Sequence, residues 1–165
     1  MLIQANAQHP NLLSGKLPWF GTDGEADNIA LVNNATVAPL LAKVKMVSTL
    51  FAPTNNTRST TFYTAYAQKY TGYTCDSYCL GAYDDVWLGA LATLQAGSYD
   101  GAKIQAAMPT VASNYFGVTG WMGLQPSGDR IPTSYQIWKV NAGQAWVLAG
   151  NWDNTADAIT WTSAP

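Results

Sequence analysis

Charge is scarce in this sequence of 165 residues. Charged side chains make up 11% of it, with ten acids, eight bases and a formal net charge of −2 at pH 7. Because the bases are scattered, no basic stripe is available to neutralise phosphate groups, and we expect no nucleic-acid partner. The hydrophobic content of 48% excludes a disordered chain and predicts a folded globular protein.

Histidine and cysteine are almost absent. His9 is the single histidine, and Cys75 and Cys79 are the only cysteines. A structural zinc site needs about four ligands at motif spacing, and a serine hydrolase of the Gly-x-Ser-x-Gly type needs an elbow that does not occur here. We therefore predict no metal, no cofactor and no catalysis. The two cysteines either form a disulfide in an oxidising compartment or stay as free buried thiols, and their spacing leaves both alternatives open.

Long apolar runs are also missing. No window reaches the roughly twenty apolar residues that cross a bilayer, and residues 1–6 lack the basic start and apolar core of a signal peptide. Seven tryptophans, nine tyrosines and many uncharged polar residues nevertheless give a composition typical of exported proteins. We expect an extracytoplasmic location, periplasmic or at the cell surface, with a membrane anchor in the full-length protein and any signal lying outside these residues.

Helix and strand signals alternate along the chain and predict an α/β fold. The residues Asn141-Ala142-Gly143 predict a tight hairpin turn between the last two strands. The predicted strands are residues 17–21, 45–51, 118–124, 135–140 and 145–149. The predicted helices are residues 1–13, a short one within 25–37, 60–70, 78–96, and 100–112 with Asp100 as its N-cap.

The segment Trp19-Phe20-Gly21-Thr22-Asp23-Gly24 is the most informative motif. A strand-like aromatic run stops at a Gly-Thr-Asp-Gly turn that can present one carboxylate at the end of a buried strand. This arrangement makes Asp23 a candidate ligand-binding residue. The alternative is that Asp23 only caps the next helix or shapes the turn.

In this order, the motifs resemble the C-terminal part of a type I periplasmic binding protein, the family of branched-chain amino acid receptors and their amide- and urea-binding relatives. The resemblance covers roughly residues 12–152. It is carried by Trp19-Phe20-Gly21-Thr22-Asp23-Gly24, by the aromatic segment 62–70, by Ala82-Tyr83-Asp84-Asp85-Val86, and by Gly117-Val118-Thr119-Gly120 with Gly128-Asp129-Arg130.

The resemblance implies a fold of Rossmann-like lobes that close around a ligand. Residues 1–152 would supply parts of both lobes, with a β-hairpin near the end, and residues 153–165 would form a C-terminal tail. The family commonly has a ligand-binding acid at the place of Asp23, whose carboxylate would accept hydrogen bonds from an ammonium or amide. Trp19 and Thr22, which lie beside Asp23, are further candidate ligand contacts. The resemblance also places Tyr78 against the ligand from the opposite lobe. A Cys75–Cys79 disulfide would stiffen that side of the ligand site. A partly buried aromatic at a helix start is the alternative for Tyr78.

The implied function is the non-catalytic ligand-binding component of an ABC transporter for branched-chain amino acids or related small amides, with a membrane permease as partner. Three alternatives remain: a sensory domain of a membrane receptor, a carbohydrate-binding or carbohydrate-active module, and a swapped homodimer. The carbohydrate module would use the tryptophans with Asp23 and Glu25, or with Asp84 and Asp85. We assign Tyr83 and Asp84 mainly to packing instead.

Overall fold

The computed structural model describes residues 1–53 and 55–163. The chain forms two compact units: the first comprises Met1–Ala52 and Thr133–Pro165, and the second comprises Pro53–Pro132. In chain order the elements are α1 (Leu2–Gln8), a 3-10 helix (Pro10–Leu13), β1 (Phe20–Gly21), α2 (Ile29–Val32), α3 (Ala38–Val44), β2 (Val47–Phe51), α4 (Thr57–Lys69), α5 (Ser77–Ala96), α6 (Gly101–Ser113), β3 (Phe116–Gly117), β4 (Gly120–Trp121), β5 (Ser134–Val140), β6 (Trp146–Asp153) and β7 (Ala158–Trp161).

The first unit is built on a five-stranded sheet with the order β1-β2-β5-β6-β7. β1 pairs with β2 in parallel, and the other neighbours are antiparallel. A parallel pair needs a crossover connection, and α2 and α3 lie in that connection. The predicted hairpin is confirmed, because the Asn141 N–H donates to the Ala145 carbonyl at 2.9 Å and the Gln144 N–H to the Asn141 carbonyl at 3.0 Å.

One face of this sheet carries the main core of the first unit. The core joins α3, the 3-10 helix and the β5–β6 hairpin through buried apolar side chains. Trp146 is part of it, and its indole N–H donates to the Asn28 carbonyl at 3.1 Å. The buried members are Leu13, Leu41, Val44, Met46, Val140 and Trp146. A separate cluster of strand residues comprises Val47, Ile137 and Ala149.

The second unit is built from α4, α5 and α6, and each helix begins at a side-chain cap. Asn56 and Ser59 form a reciprocal capping box at α4. Asp76 accepts from the Cys79 N–H at 2.9 Å at the start of α5, and Asp100 accepts from the Lys103 N–H at 3.0 Å at the start of α6, as predicted. α5 ends at Gly97, which adopts the left-handed conformation that glycine accepts readily.

The predicted strand over residues 118–124 is wrong. The chain forms two short antiparallel strands there, β3 and β4, joined by a turn at Val118 and Thr119. The turn forms because the buried Asp84 carboxylate accepts hydrogen bonds from the N–H groups of both residues. Gly120, which follows the turn, has a positive φ of 94°. The strand is therefore interrupted by the Asp84 side chain of α5. No pattern within residues 118–124 interrupts it.

Other boundaries differ from the predictions. The strand predicted for residues 17–21 is reduced to β1, since Pro18 has no N–H to offer a sheet. The strand predicted for residues 145–149 extends to Asp153 as β6. In the predicted tail 153–165 the structure places β7, which pairs with β6; residues 164 and 165 lie outside the described residues. In the described ranges, no helix is long and apolar enough to cross a membrane.

Candidate functional site

The loop that follows β1 is set against the sheet by Gly21. A Cβ atom on Gly21 would collide with the Ser48 Oγ and would lie 2.7 Å from the terminal carbon of Met46. Ser48 is itself buried, and its Oγ has no hydrogen-bond partner among the described residues. A larger residue at position 21 would therefore force the side chains of Ser48 and Met46 to shift, and a turn over residues 23–27 follows the strand.

The Glu25 side chain forms hydrogen bonds within this loop. Its Oε2 accepts from the Thr22 N–H at 2.7 Å and from the Thr22 hydroxyl at 2.9 Å. These two hydrogen bonds lower the pKa of the Glu25 carboxyl from its ordinary value, because they favour the charged form. The Glu25 carboxylate therefore holds the turn, and Thr22 is engaged by it.

Asp23 lies at the tip of the same loop and is exposed. Its carboxylate makes no hydrogen bond within the part of the chain that the structure describes. Trp19, just before β1, is half-buried against the core, and its indole N–H donates to the Leu12 carbonyl at 2.9 Å. The structure thus places Thr22 and Asp23 in the loop after β1 and Trp19 directly before that strand, and Asp23 is exposed.

Tyr78 belongs to the second unit, in the first turn of α5, and 54% of its surface is exposed. The structure joins the flanking Cys75 and Cys79 by a disulfide. Cys75 is buried with Leu80 and Val118, and Cys79 packs at the edge of that cluster. The disulfide therefore ties the loop before α5 to the core of the second unit, and Tyr78, between the two cysteines in sequence, remains largely exposed.

Reducing this disulfide should destabilise the second unit by about 2 kcal/mol, because the bond restricts a short loop of the unfolded chain. Denaturant unfolding with and without a thiol reductant measures the effect. The Cys75→Ser/Cys79→Ser double variant serves as the control, since it should be insensitive to reductant. Equal unfolding midpoints for the oxidised and reduced wild type would show that the bond does not stabilise the fold.

An open groove of about 930 Å³ lies on the second unit, between α4 and α5. Aromatic rings dominate its lining: the ring centres of Phe62 and Tyr83 lie 4.6 Å apart, and those of Tyr66 and Tyr70 lie 4.8 Å apart. Lys69 lies at the rim, with its ammonium 5.5 Å from the centre of the Tyr70 ring. Sequence reasoning recognised this aromatic spacing as helical but did not predict a groove.

Below the groove, Asp84 is completely buried and accepts four hydrogen bonds. Its Oδ1 accepts from the Tyr115 hydroxyl at 3.1 Å and the Val118 N–H at 2.9 Å. Its Oδ2 accepts from the Thr119 N–H at 2.7 Å and the Thr119 hydroxyl at 2.5 Å. Burial, followed by the nearby Asp84, raises the pKa of the Tyr115 hydroxyl. The burial of Asp84 agrees with the packing role predicted for it, whereas Tyr83, for which the same role was predicted, is 39% exposed and lines the groove.

Arg130 extends this network. Its guanidinium donates to the Thr119 hydroxyl at 2.7 Å and to the Thr119 carbonyl at 2.8 Å. Thr119 can therefore donate its one hydroxyl proton to Asp84 while accepting from Arg130. The Gly117–Gly120 and Gly128–Arg130 motifs are joined by these bonds, and we call Asp84, Thr119 and Arg130 the clamp.

Three of the tryptophans do not suit the carbohydrate interpretation, whereas Trp121 and Trp161 are 58% and 44% exposed. Trp19, Trp138 and Trp146 pack in the core of the first unit, which leaves their ring faces little room for a sugar. Neither acid pair is free to flank a substrate bond, since the Glu25 carboxylate is held by Thr22 and Asp84 is buried in the clamp.

A model of the protein family described as "receptor family ligand binding region" matches residues 1–143. The chain belongs to this family. The match covers the second unit and the part of the first unit up to residue 143, so it includes the loop after β1 and the clamp and ends within the β5–β6 hairpin.

Solved structures show the same fold. The leucine binding protein LivK from Thermotoga maritima superposes with a TM-score of 0.57 at 19% identity, over 83% of this chain and 37% of that one. An ABC transporter substrate-binding protein from Desulfitobacterium hafniense in complex with Leu gives a TM-score of 0.52 at 18% identity, over 89% of this chain and 38% of that one. The predicted fold, a partial type I periplasmic binding protein fold with a C-terminal hairpin, is confirmed.

A curated relative matches at the sequence level. An uncharacterised protein of Methanocaldococcus jannaschii, MJ1266, is 29% identical over 98% of this chain and 40% of its own length. The chain thus spans about two fifths of the length of the relatives it matches. These relatives are therefore more than twice as long as this chain.

Proposed function

We propose that the chain acts in the ligand-binding component of an ABC transporter for branched-chain amino acids or related small amides. The observation that carries this proposal is the exposed carboxylate of Asp23 at the end of β1, in a member of a ligand-binding family. Two structures that share the fold are named as a leucine binding protein and a substrate-binding protein in complex with Leu. The proposed role is capture and delivery, and no bond is made or broken.

The loop after β1 suits Asp23 to this task. Glu25 satisfies the Thr22 N–H and hydroxyl, so the turn keeps its shape and the Asp23 carboxylate is left for a ligand. A carboxylate accepts from a ligand ammonium or amide in a charge-assisted hydrogen bond, which is about twice as strong as a neutral one. Trp19 anchors the chain just before this turn through its bond to Leu12.

Tyr78 is a second proposed ligand contact. More than half of its surface is exposed although it begins an apolar helix. A tyrosine ring can cover an aliphatic side chain while its hydroxyl reaches a polar group. The adjoining disulfide also agrees with an extracytoplasmic location, since such bonds persist in oxidising compartments. A membrane permease is the proposed partner.

The Asp23→Asn variant should bind its ligand at least tenfold more weakly, because the amide keeps the size of the side chain but removes the charge. Isothermal titration calorimetry against leucine, valine, glutamine, acetamide and glucose measures the effect. The amino acids or the amide should give heat of binding, and glucose none. Asp85→Asn is the matched control, since Asp85 is an exposed acid on α5, and its affinity should equal the wild type.

Glucose binding by the wild type, with sugar turnover abolished in Asp23→Asn, would contradict the proposal and support the carbohydrate interpretation. Equal leucine affinity for Asp23→Asn and wild type would refute the role of Asp23 alone. The sensory alternative shares the ligand, and the family description includes receptors. Stimulation of the ATPase of a reconstituted permease complex by the ligand-loaded protein separates transport from sensing.

A further inference from the structure

The dipeptide Asp-Gly occurs twice in this chain, at Asp23-Gly24 and at Asp100-Gly101. Glycine carries no Cβ atom, so its main-chain nitrogen is open to contact with the side chain of the residue before it. This nitrogen can attack the carboxyl carbon of a preceding aspartate when the two groups are free to rotate towards each other. The two dipeptides are the same in sequence, but the structure gives them different hydrogen bonds.

The Asp100-Gly101 dipeptide is held at the start of α6. The Asp100 side chain is the N-cap and accepts from the Lys103 N–H at 3.0 Å. The Asp100 N–H also donates to the Ser98 hydroxyl at 3.1 Å. Attack by the Gly101 nitrogen would take the carboxyl group away from Lys103 and leave α6 without its N-cap. The folded structure therefore opposes the reaction at Asp100.

The Asp23-Gly24 dipeptide has no such restraint. Both residues are exposed in the turn after β1. Among the described residues, neither the Asp23 carboxylate nor the Gly24 N–H makes a hydrogen bond. The bonds between Glu25 and Thr22 hold the turn but do not include the peptide group that joins Asp23 to Gly24. Because the dipeptide at α6 is exposed as well, hydrogen bonding and not exposure distinguishes the two.

We propose that Asp23 is a site of spontaneous isoaspartate formation. The Gly24 nitrogen forms a bond to Cγ of Asp23, and the hydroxyl group of the protonated carboxyl leaves as water with the proton of the Gly24 N–H. Water then opens the resulting cyclic imide. Attack at Cγ restores aspartate, whereas attack at the former peptide carbonyl breaks its bond to the Gly24 nitrogen and leaves the main chain running through Cβ and Cγ. One water leaves and one enters, so the reaction needs no oxidant or reductant.

Isoaspartate at position 23 alters the proposed ligand contact. The main chain becomes one methylene longer, and the remaining carboxylate is attached directly to Cα, so it extends less far from the chain. This consequence rests on the proposed function, whereas the modification itself does not. A bound ligand should slow the reaction, because its ammonium or amide group engages the carboxylate in a charge-assisted hydrogen bond.

Incubation of the native chain at neutral pH tests the proposal, with peptide mapping by electron-transfer fragmentation to measure isoaspartate separately at the two positions. Position 23 should convert at least about tenfold faster than position 100, since only the Asp23 side chain is free to meet the following nitrogen. In denaturant the two rates should become equal, because the N-cap at Asp100 is lost with the fold.

Gly24→Ala is the matched variant, and it should slow conversion at position 23 severalfold by covering the attacking nitrogen. The nearest atom to an added Cβ is the Thr22 hydroxyl oxygen, at 3.9 Å, and Gly24 does not have a positive φ, so alanine preserves the turn. Conversion at position 100 should be unchanged in this variant.

Equal rates at the two positions of the native chain overturn the proposal, and so does conversion at position 23 only after denaturation. Repeating the incubation with leucine separates the modification from the proposed function. Slower conversion at position 23 in leucine supports both. Conversion at position 23 that leucine leaves unchanged supports the modification and contradicts the ligand role of Asp23 alone.

Discussion

Replacing Asp84 by alanine should destabilise the second unit by about 4 kcal/mol. The change removes a completely buried acceptor and leaves the N–H groups of Val118 and Thr119 and the hydroxyl of Tyr115 without their partner. Each buried donor left unsatisfied costs about 1–3 kcal/mol. Losses of this size are uncommon for single substitutions and indicate a broken buried network.

Denaturant unfolding of the variant and wild type measures the loss, and hydrogen exchange of α5 amides locates it in the second unit. Asp84→Asn refines the test, since the amide keeps the size but offers N–H groups where the site presents donors. Asp85→Ala is the control, and it should change stability by less than about 0.5 kcal/mol because Asp85 is exposed. A small loss at Asp84, equal to that at Asp85, would show that the clamp does not hold the fold.

Gly117→Ala should be almost as damaging, by about 3 kcal/mol or more. An added Cβ would overlap the carboxyl group of Asp84. That carboxyl group cannot move aside, because its oxygens are fixed by bonds to Val118 and Thr119. Overpacking in a rigid site typically costs about 1–3 kcal/mol, and here it also breaks hydrogen bonds.

A double-mutant cycle shows whether the two sites act through each other. Gly117→Ala in the Asp84→Ala background should cost much less than in the wild type, since the obstructing carboxyl group is gone. Gly89→Ala is the matched glycine control: it lies within α5 with open space around it, so alanine should stabilise the helix by up to about 1 kcal/mol. Additive losses for Gly117→Ala and Asp84→Ala would contradict the proposed collision.

The helices of the second unit could be predicted well from the sequence because their signals are local. Asp100 and Gly97 mark a helix start and a helix end through bonds and φ angles within a few residues. The hairpin at Asn141-Ala142-Gly143 is local in the same sense. By contrast, the turn at Val118 and Thr119 depends on Asp84, more than thirty residues earlier in the chain, and no pattern within residues 118–124 reveals it.

The candidate site is likewise predictable from the sequence only in part. The motif around Asp23 predicts a carboxylate displayed at the end of a strand, and the structure places Asp23 on an exposed loop directly after β1. The part played by Glu25 could not be predicted, because an acid two residues from Asp23 could equally have faced a ligand. Its bonds to Thr22 exist only once the turn has formed.

The sequence by itself determined the α/β class, the three helices of the second unit, the hairpin near the end and the resemblance to a ligand-binding family, since caps, turn residues and hydrophobic periodicity act over a few residues. Tertiary structure alone decided which carboxylates are available to bind a ligand. Asp84 and Glu25 are taken up by N–H and hydroxyl groups, and Asp23 is left exposed. It also left Val86 and Leu94 of α5 largely exposed, because burial depends on what packs against a helix and not only on the residues that the helix contains.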